Sequence, residues 1–278
     1  MEAAVSEALL LMGHGSRDAE GVGELRRLVR AVREAHGGLV ASGVLEFAGP
    51  GNPSIQEAVD ACAAAGARRI VAQPLLLLCG GHERGDMPVQ AERARRRHPD
   101  VEIVLSDHLG LHDTLIDVAA DRAAEAERRL GGPADATALL LCARGSLHPE
   151  SNACMCKLAR IAWERDRLRE RYPWVETCFV SLAPPSVAEG IQRCARLGAR
   201  RVVVVPYFLD TGILVKRIGE QARATAAELS GVEVAVAEHM GVDRRVVDLV
   251  LQRAREAGRG STPEGYCCGA CRRRGPAT

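Results

Sequence analysis

The chain has 278 residues, of which 47% are hydrophobic and 26% charged, and its formal net charge is +1. This balance is typical of a soluble globular protein long enough for two domains, and the small net charge gives no support to a role in binding polyanions or polycations. Aromatic residues make up only 3%, which argues against a stacking platform for single-stranded nucleic acid. No apolar run approaches the roughly 18 residues of a membrane span, and no basic region precedes the N-terminal apolar run. We therefore expect a cytoplasmic protein with reduced thiols.

Short β-branched or Leu-rich runs alternate with amphipathic stretches, which predicts parallel sheets built from βαβ units. In chain order, the predicted strands of the first half are 8–12, 43–48, 69–78 and 101–106, and its predicted helices are 19–35, 54–65, 86–97 and 112–129. The second half is predicted to contain strands at 137–142, 175–180, 201–209 and 232–237, and helices at 151–171, 186–197, 212–229 and 242–257. Several strands are apolar without alternation, as expected for strands covered on both faces.

The second half of the chain repeats the first. PSIQEAVDACAAAGARRIV (53–71) matches PSVAEGIQRCARLGARRVV (185–203), LLLMGHGS (9–16) matches LLLCARGS (139–146), and VEIVLSDHLG (101–110) matches VEVAVAEHMG (232–241). We therefore predict an α/β protein with two tandem similar domains, each a parallel sheet flanked by helices. The predicted parts are an N-terminal half at 1–131 that holds the active site, a C-terminal half at 137–257, and a flexible cysteine-containing tail at 258–278.

Three side chains of the first half that could react lie at or just after predicted strand ends. His14 lies in the loop GHGSR after the first strand, Glu46 lies at the end of the second, and His82 lies in GGHERGD after the third. Ligands of open parallel sheets bind at the carboxyl ends of the strands, so we expect these residues to share one edge. Neutral imidazole binds divalent transition metals or accepts a proton, and a carboxylate favours a dication. The alternatives are solvated loop histidines and a capping or solvated glutamate.

Only one copy of the repeat keeps these histidines. Arg144 stands opposite His14 and Leu214 stands opposite His82, which favours one active site rather than two. His108 and His239 occupy matched positions in both copies, so a scaffold role is the better interpretation for them.

The tail contains a C-x-x-C motif formed by Cys268 and Cys271. Two thiolates at this spacing can hold one metal ion or part of an iron–sulfur cluster. The motif supplies only two of the four ligands that such a site needs. Cys154 and Cys156, or a second chain, could supply the others. The alternative is a disordered tail with exposed thiols.

The order, spacing and duplication of several segments resemble sirohydrochlorin chelatases of the long, CbiX type. The segments are GHGSRD (13–18), LEFAGPGNPSIQEA (45–58), GARRIVAQPLLL (66–77), GGHERGDMP (80–88), RGSLHPESNACMCKLAR (144–160), PPSVAEGIQRC (184–194) and GARRVVVVPYFLDTGILVKRI (198–218). The resemblance covers residues 8–257 and implies a chelatase fold of class II. It also implies a metal-inserting lyase that places Co²⁺ into sirohydrochlorin for cobalamin synthesis, or Fe²⁺ for siroheme.

The resemblance further implies roles for individual residues. The catalytic, metal-handling histidines of the family fall on His14 and His82, with Glu46 as their acidic partner. The C-x-x-C of some long forms, associated with an iron–sulfur centre, falls on Cys268 and Cys271. Two departures are Cys79 in the loop after the third strand and the pair Cys154 and Cys156, which leave an additional thiol–metal role open.

Sirohydrochlorin is a tetrapyrrole that bears several carboxylates, so Arg17, Arg84 and Arg144 are candidate partners for them. Because imidazole suits both Co²⁺ and Fe²⁺, a ferrochelatase on the same scaffold is the first alternative. A non-catalytic protein that binds metal or tetrapyrrole is the second. A homodimer is compatible with either.

Overall fold

The computed structural model describes residues 7–80, 85–131, 135–165 and 168–266, which form two compact units. Each unit contains one sheet of four parallel strands flanked by helices. This confirms the predicted α/β architecture of two similar domains. No helix in the described parts of the chain combines the length and the apolar composition needed to cross a membrane.

The first unit comprises the chain up to His112 together with the chain from Val242 onward. Its strands, in the sheet order β2-β1-β3-β4, are β1 (Glu7–Gly13), β2 (Leu39–Val44), β3 (Arg69–Pro74) and β4 (Glu102–Leu105). Its helices are α1 (Ala19–His36), α2 (Ile55–Ala64), α3 (Met87–Arg97) and α9 (Arg244–Gly258). The apolar runs of β1 and β3 are buried, and the side chains of α2 and α3 pack against them in one core cluster.

The second unit comprises residues 113–241. Its strands, in the equivalent order β6-β5-β7-β8, are β5 (Thr137–Ala143), β6 (Trp174–Phe179), β7 (Arg201–Pro206) and β8 (Glu233–Val236). Its helices are α4 (Asp113–Arg129), α5 (Pro149–Glu164), α6 (Leu168–Arg171), α7 (Val187–Arg196) and α8 (Ile213–Glu228). The stretch 151–171, predicted as one helix, therefore contains most of α5 and all of α6.

The compact units differ from the halves predicted at 1–131 and 137–257, because the last helix of each repeat packs on the other repeat's sheet. Helix α4 packs on β7 and β8, whereas α9 packs on α1, β3 and β4. Two arginines at matched repeat positions anchor this arrangement. Arg122 of α4 donates hydrogen bonds to the carbonyl oxygens of His239 and Met240, both at 3.1 Å. Arg253 of α9, only 2% exposed, donates to Leu109 O at 3.1 and 2.9 Å.

The shared motif P-S-[IV]-x-E has a local explanation at the start of α2 and α7. In α2, the Ser54 hydroxyl accepts from Glu57 N at 3.3 Å, and Ser54 N donates back to the Glu57 carboxylate at 2.7 Å. Ser186 and Glu189 make the same reciprocal pair at the same distances. This capping box satisfies two of the backbone donors that a helix N-terminus leaves unpaired.

Strand β2 lies four residues earlier than predicted. The apolar residues of GVLEFA favoured a strand at 43–48, but β2 ends at Val44 and residues 45–52 form a loop. The start of α2 passes so close to the strand that a Cβ on Gly43 would lie 2.6 Å from Ile55 Cα. A glycine inside a strand often marks such a close backbone approach. Glu46 therefore lies in the loop beyond the strand.

The first part of the predicted tail is held against the first unit. Ser261 N donates to Glu256 O at 2.8 Å, Gln252 donates to the Glu264 carboxylate at 3.2 Å, and Tyr266 N donates to Leu111 O at 2.8 Å. Gly265 has a φ of 111°, and a Cβ there would lie 2.4 Å from Leu111 O. Residues 259–266 thus differ from the flexible tail expected at 258–278, and the C-x-x-C motif lies outside the described residues.

Two truncations test whether residues 261–266, which are hydrogen-bonded to the first unit, contribute to stability. Deleting 267–278 should leave the thermal midpoint and the enzymatic rate close to those of the full chain. Deleting 261–278 also removes hydrogen bonds to Leu111, Glu256 and Gln252, each worth about 1 kcal/mol, and should lower the midpoint by about 6–12 °C. Thermal melts of both proteins measure this. Equal midpoints would show that the docked segment adds no stability.

Candidate functional site

The loop that follows β1 places His14 at the carboxyl edge of the first sheet. Its side chain is half-buried, and its Nδ1 lies 3.0 Å from Gly15 O. A carbonyl oxygen can only accept, so Nδ1 carries a proton, and in the neutral form of the ring the lone pair is on Nε2. Metal-binding histidines commonly donate their second ring nitrogen to a backbone carbonyl in this way. His14 therefore has the tautomer that a metal ligand needs.

Glu46 is joined to His14 through the backbone. Leu45 N donates to Gly13 O at 3.0 Å, and Glu46 N donates to His14 O at 2.9 Å. These bonds continue the pairing of β1 with β2 past the ends of both strands, and the Glu46 side chain is exposed there. The imidazole and the carboxylate predicted from sequence thus lie at the same edge of one sheet, on adjacent, hydrogen-bonded loops.

Gly15 makes this junction possible. Its φ is 95°, and a Cβ at this position would lie 2.0 Å from Glu46 O. Only glycine tolerates both the left-handed backbone and the close approach. Gly15 of GHGS therefore allows the backbone of Glu46 to lie against that of His14. It is not needed here to let a phosphate group approach the backbone.

Arg17 and Phe47 extend the same edge. The Arg17 guanidinium lies over the Phe47 ring, 4.7 Å from its centroid, and both side chains are exposed. A cation over an aromatic face is favourable. The guanidinium is therefore held over the residue that follows Glu46, as a cationic group that can bind a carboxylate.

The third loop of this edge begins directly after β3. Leu75 N donates to Met12 O at 2.9 Å, so this loop starts beside the one that bears His14. The structure describes it as far as Gly80 and again from Gly85. His82 and Arg84 lie outside the described residues, so their predicted roles stay predictions. Within the described parts of the chain, no three His, Cys, Asp or Glu side chains cluster as metal ligands.

The second unit repeats this geometry with different side chains. Ser181 N donates to Arg144 O at 3.0 Å, and a Cβ on Gly145 would lie 2.2 Å from Ser181 O. Ser181 is therefore the counterpart of Glu46, as Arg144 is of His14. The sequence repeat could not reveal this match, because the loop 180–184 is shorter than the loop 45–52. Arg144 is exposed at its own edge.

All of the described cysteines except Cys156 are buried, which suits core residues better than metal ligands. Burial raises the pKa of the Cys62 thiol to about 11 and that of Cys194 to about 12, so both are protonated near neutral pH and serve as core residues. Cys79 and Cys154 are also buried, whereas Cys156 is exposed and lies 3.5 Å from the Thr177 hydroxyl.

An iron–sulfur cluster is not supported, since no three His, Cys, Asp or Glu side chains of the described residues come together as ligands. Both motif cysteines lie outside the described residues. His108 and His239 are 3% and 8% exposed, in keeping with the scaffold role predicted for them.

Comparisons with known proteins show the family to which the chain is similar. A family model described as CbiX matches the chain twice, over residues 8–126 and 138–257. A sirohydrochlorin cobaltochelatase from Priestia megaterium is 32% identical over 252 residues, which are 90% of this chain and 79% of that protein. A sirohydrochlorin ferrochelatase from Bacillus subtilis (strain 168) is 25% identical over 252 residues, which are 91% of this chain and 92% of that protein.

A solved structure shares the fold along nearly the whole chain. SirB from Bacillus subtilis with Fe³⁺ superimposes with a TM-score of 0.76 at 25% identity, covering 92% of this chain and 97% of that one. Both matches of the family model include one set of strand-end loops, but His14 and Glu46 occur in the first set alone.

Proposed function

The chain belongs to the CbiX family, and from this membership we propose that it is a sirohydrochlorin cobaltochelatase, which inserts Co²⁺ into sirohydrochlorin in cobalamin biosynthesis. The observation that supports this best is the backbone pairing of the His14 and Glu46 loops at one sheet edge. An imidazole and a carboxylate on adjoining loops suit a divalent metal that must be bound and then released.

Metal insertion makes three demands on the site. The metal must be held loosely, two pyrrole protons must be accepted, and the macrocycle must be oriented with its nitrogen lone pairs toward the metal. His14 serves the first two, because the Nε2 lone pair can bind either a metal ion or a proton. Glu46 adds the negative charge that favours a dication. We assign His82 the same two roles as His14.

The carboxylates of the tetrapyrrole need cationic partners. We propose that Arg17, Arg84 and Arg144 bind them, since a guanidinium forms strong, directional hydrogen bonds with a carboxylate. Arg17 and Arg144 are both exposed at the carboxyl edges of their sheets, where ligands of parallel sheets bind.

Fe²⁺ is the second candidate metal, because one relative is a ferrochelatase and imidazole suits both ions. An absorbance assay of metal-free sirohydrochlorin with Co²⁺, Fe²⁺ or an equimolar mixture decides between them. We expect faster insertion of Co²⁺ and a mixture that yields mainly the cobalt product. Faster insertion of Fe²⁺ would make the protein a siroheme ferrochelatase, and insertion of neither ion would refute the proposed function.

Changing Glu46→Gln should weaken metal use more than tetrapyrrole binding. The amide keeps the shape of the side chain and removes the charge, so we expect the KM for the metal to rise about 10-fold or more. The KM for sirohydrochlorin should stay within about twofold. Glu34→Gln, which changes an exposed glutamate of α1, is the control. An unchanged dependence of the rate on metal concentration would exclude Glu46 as a metal ligand.

A further inference from the structure

The first unit contains a cavity of about 410 Å³ at the amino edge of its sheet, a size typical of small-molecule sites. It lies between the starts of β1 and β3 and the ends of α1 and α9, all in the first unit, and β1 separates it from His14. Its floor is apolar and buried, and consists of Ala8, Leu9, Val71, Leu251 and Ala254.

The rim of this cavity carries an excess of positive charge. Three arginines line it, namely Arg69, Arg255 and Arg259. Arg69 is engaged, because its guanidinium lies 3.1 Å from the Glu7 carboxylate and donates to Gly258 O at 2.8 Å. Arg255 and Arg259 are exposed, and within the described ranges their guanidinium groups have no hydrogen-bond or ion-pair partner. Two guanidinium groups are therefore available to an anion in the cavity.

The repeat identifies the matched place in the second unit. Arg253 of α9 and Arg122 of α4 are equivalent, because each donates to the carbonyl oxygen of the matching loop residue. Gly258 and Glu127 each lie five residues beyond these arginines. Glu127 is therefore the counterpart of Gly258, which lines the cavity.

Strand pairing gives a second match. Leu39 of β2 and Trp174 of β6 are equivalent, since each pairs with the second residue of the central strand beside it, β1 or β5. Gly37 and Tyr172 each lie two residues earlier. Tyr172 is therefore the counterpart of Gly37, which follows the end of α1.

In the second unit, an aromatic ring and a carboxylate occupy this place. Tyr172 is fully buried and Glu127 is 1% exposed. The Tyr172 hydroxyl donates to Glu127 Oε2 at 2.9 Å, and Arg171 Nε donates to the same oxygen at 2.8 Å. The second unit thus shows what this part of the fold accommodates, which is a phenyl-sized ring next to a carboxylate bound by a guanidinium.

In the first unit, glycines stand at both positions. A Cβ on Gly37 would have no described atom within 4 Å beyond its chain neighbours, and a Cβ on Gly258 would meet only Val71 Cγ2, at 3.8 Å. Nothing in the backbone of either position therefore prevents a larger group from lying there. The cavity occupies the place that the ring and the carboxylate fill in the other repeat.

We propose that this cavity is a binding site for a small aromatic carboxylate. The ring of the ligand takes the place that the Tyr172 side chain holds in the second unit and packs on the apolar floor. Its carboxylate takes the place of the Glu127 carboxylate and binds to Arg255 and Arg259. The site is at the opposite edge of the sheet from His14, and it goes beyond the proposed function.

Isothermal titration calorimetry of the full chain with benzoate tests this site. We expect saturable binding with a Kd below about 1 mM, and a Kd at least about 10-fold higher for benzamide, which keeps the shape and lacks the charge. The double variant Arg255→Gln, Arg259→Gln should raise the Kd for benzoate about 10-fold or more. The control is Arg30→Gln, Arg93→Gln, which makes the same change of charge at exposed positions of α1 and α3 and should bind as wild type does.

A third variant, Gly258→Glu, should abolish benzoate binding, because it places in the cavity the carboxylate that the second unit has there. The site is also located without any variant, by the amide resonances of the wild-type protein. Benzoate should shift those of Ala8, Leu251 and Gly258, and should leave those of Ala138 and Glu127, at the matched places of the second unit, unchanged.

Three calorimetric results would each overturn the inference: no saturable binding of benzoate up to about 10 mM, equal Kd values for benzamide and benzoate, or an Arg255→Gln, Arg259→Gln protein within twofold of wild type. Resonance shifts centred on the loop of His14 would also overturn it, and this result does not depend on the stability of a variant. Because benzoate binding is measured without metal or tetrapyrrole, failure of this site leaves the proposed function intact, and failure of metal insertion leaves this site intact.

Discussion

Replacing His14 by alanine should reduce metal insertion by about 10²- to 10⁴-fold, the usual contribution of a group that transfers protons or binds the reacting ion. The substitution removes the Nε2 lone pair that the bond from Nδ1 to Gly15 O orients. His14 lies in a loop beyond β1 and is half-buried, so truncation should change little core packing. His82→Ala should have the same effect on insertion.

Absorbance-based insertion assays and thermal melts of the same preparations measure both consequences. His36→Ala is the control, because His36 is an exposed histidine at the opposite, carboxyl-terminal end of α1. A His14→Ala protein with a native melt and near-normal turnover would show that His14 is not catalytic. A large loss of stability would instead show that the side chain is structural.

Gly15→Ala should reduce insertion by about 100-fold, because a new Cβ only 2.0 Å from Glu46 O must push the two loops apart. Displacing reacting groups by about 1 Å commonly has an effect of this size. The unfavourable φ of 95° adds about 1–2 kcal/mol of destabilisation.

The chain contains a matched control for this experiment. Gly145 has a φ of 85°, and a Cβ there would lie 2.2 Å from Ser181 O. Gly145→Ala should therefore lower the thermal midpoint as much as Gly15→Ala, yet leave the dependence of the rate on metal concentration unchanged. If both substitutions alter metal dependence equally, stability rather than the geometry at His14 and Glu46 controls activity.

Much of the fold follows from the sequence, because the relevant forces are local. Apolar runs without alternation predict buried parallel strands, and the repeated P-S-[IV]-x-E predicts two equivalent helix starts, which capping boxes at Ser54 and Ser186 explain. The meeting of His14 with Glu46 was predictable for the same reason: residues beyond the carboxyl ends of neighbouring parallel strands lie at one edge.

What the sequence could not predict depends on contacts between distant segments. The position of β2 is determined by how closely α2 approaches Gly43, a distance with no signal in the run GVLEFA. The match of Ser181 with Glu46 is hidden by the different lengths of their loops. The sequence also does not show that α4 and α9 each pack on the sheet of the other repeat. A helix with an apolar face does not specify which of two similar sheets it covers.

Because α9 belongs to the first unit, the two units are completed at different times during synthesis. Residues 113–241 form the second unit as one continuous stretch, so this unit can be completed as soon as β8 has left the ribosome. The first unit also needs α9, near the end of the chain, where Arg253 bonds to Leu109 O from 144 residues away. Contacts so distant in sequence form late. The sheet that bears His14 is therefore the first of the two to be translated and the last to be finished. A ribosome that stalls before Val242 releases a chain in which the edge that bears His14 rests on an incomplete core.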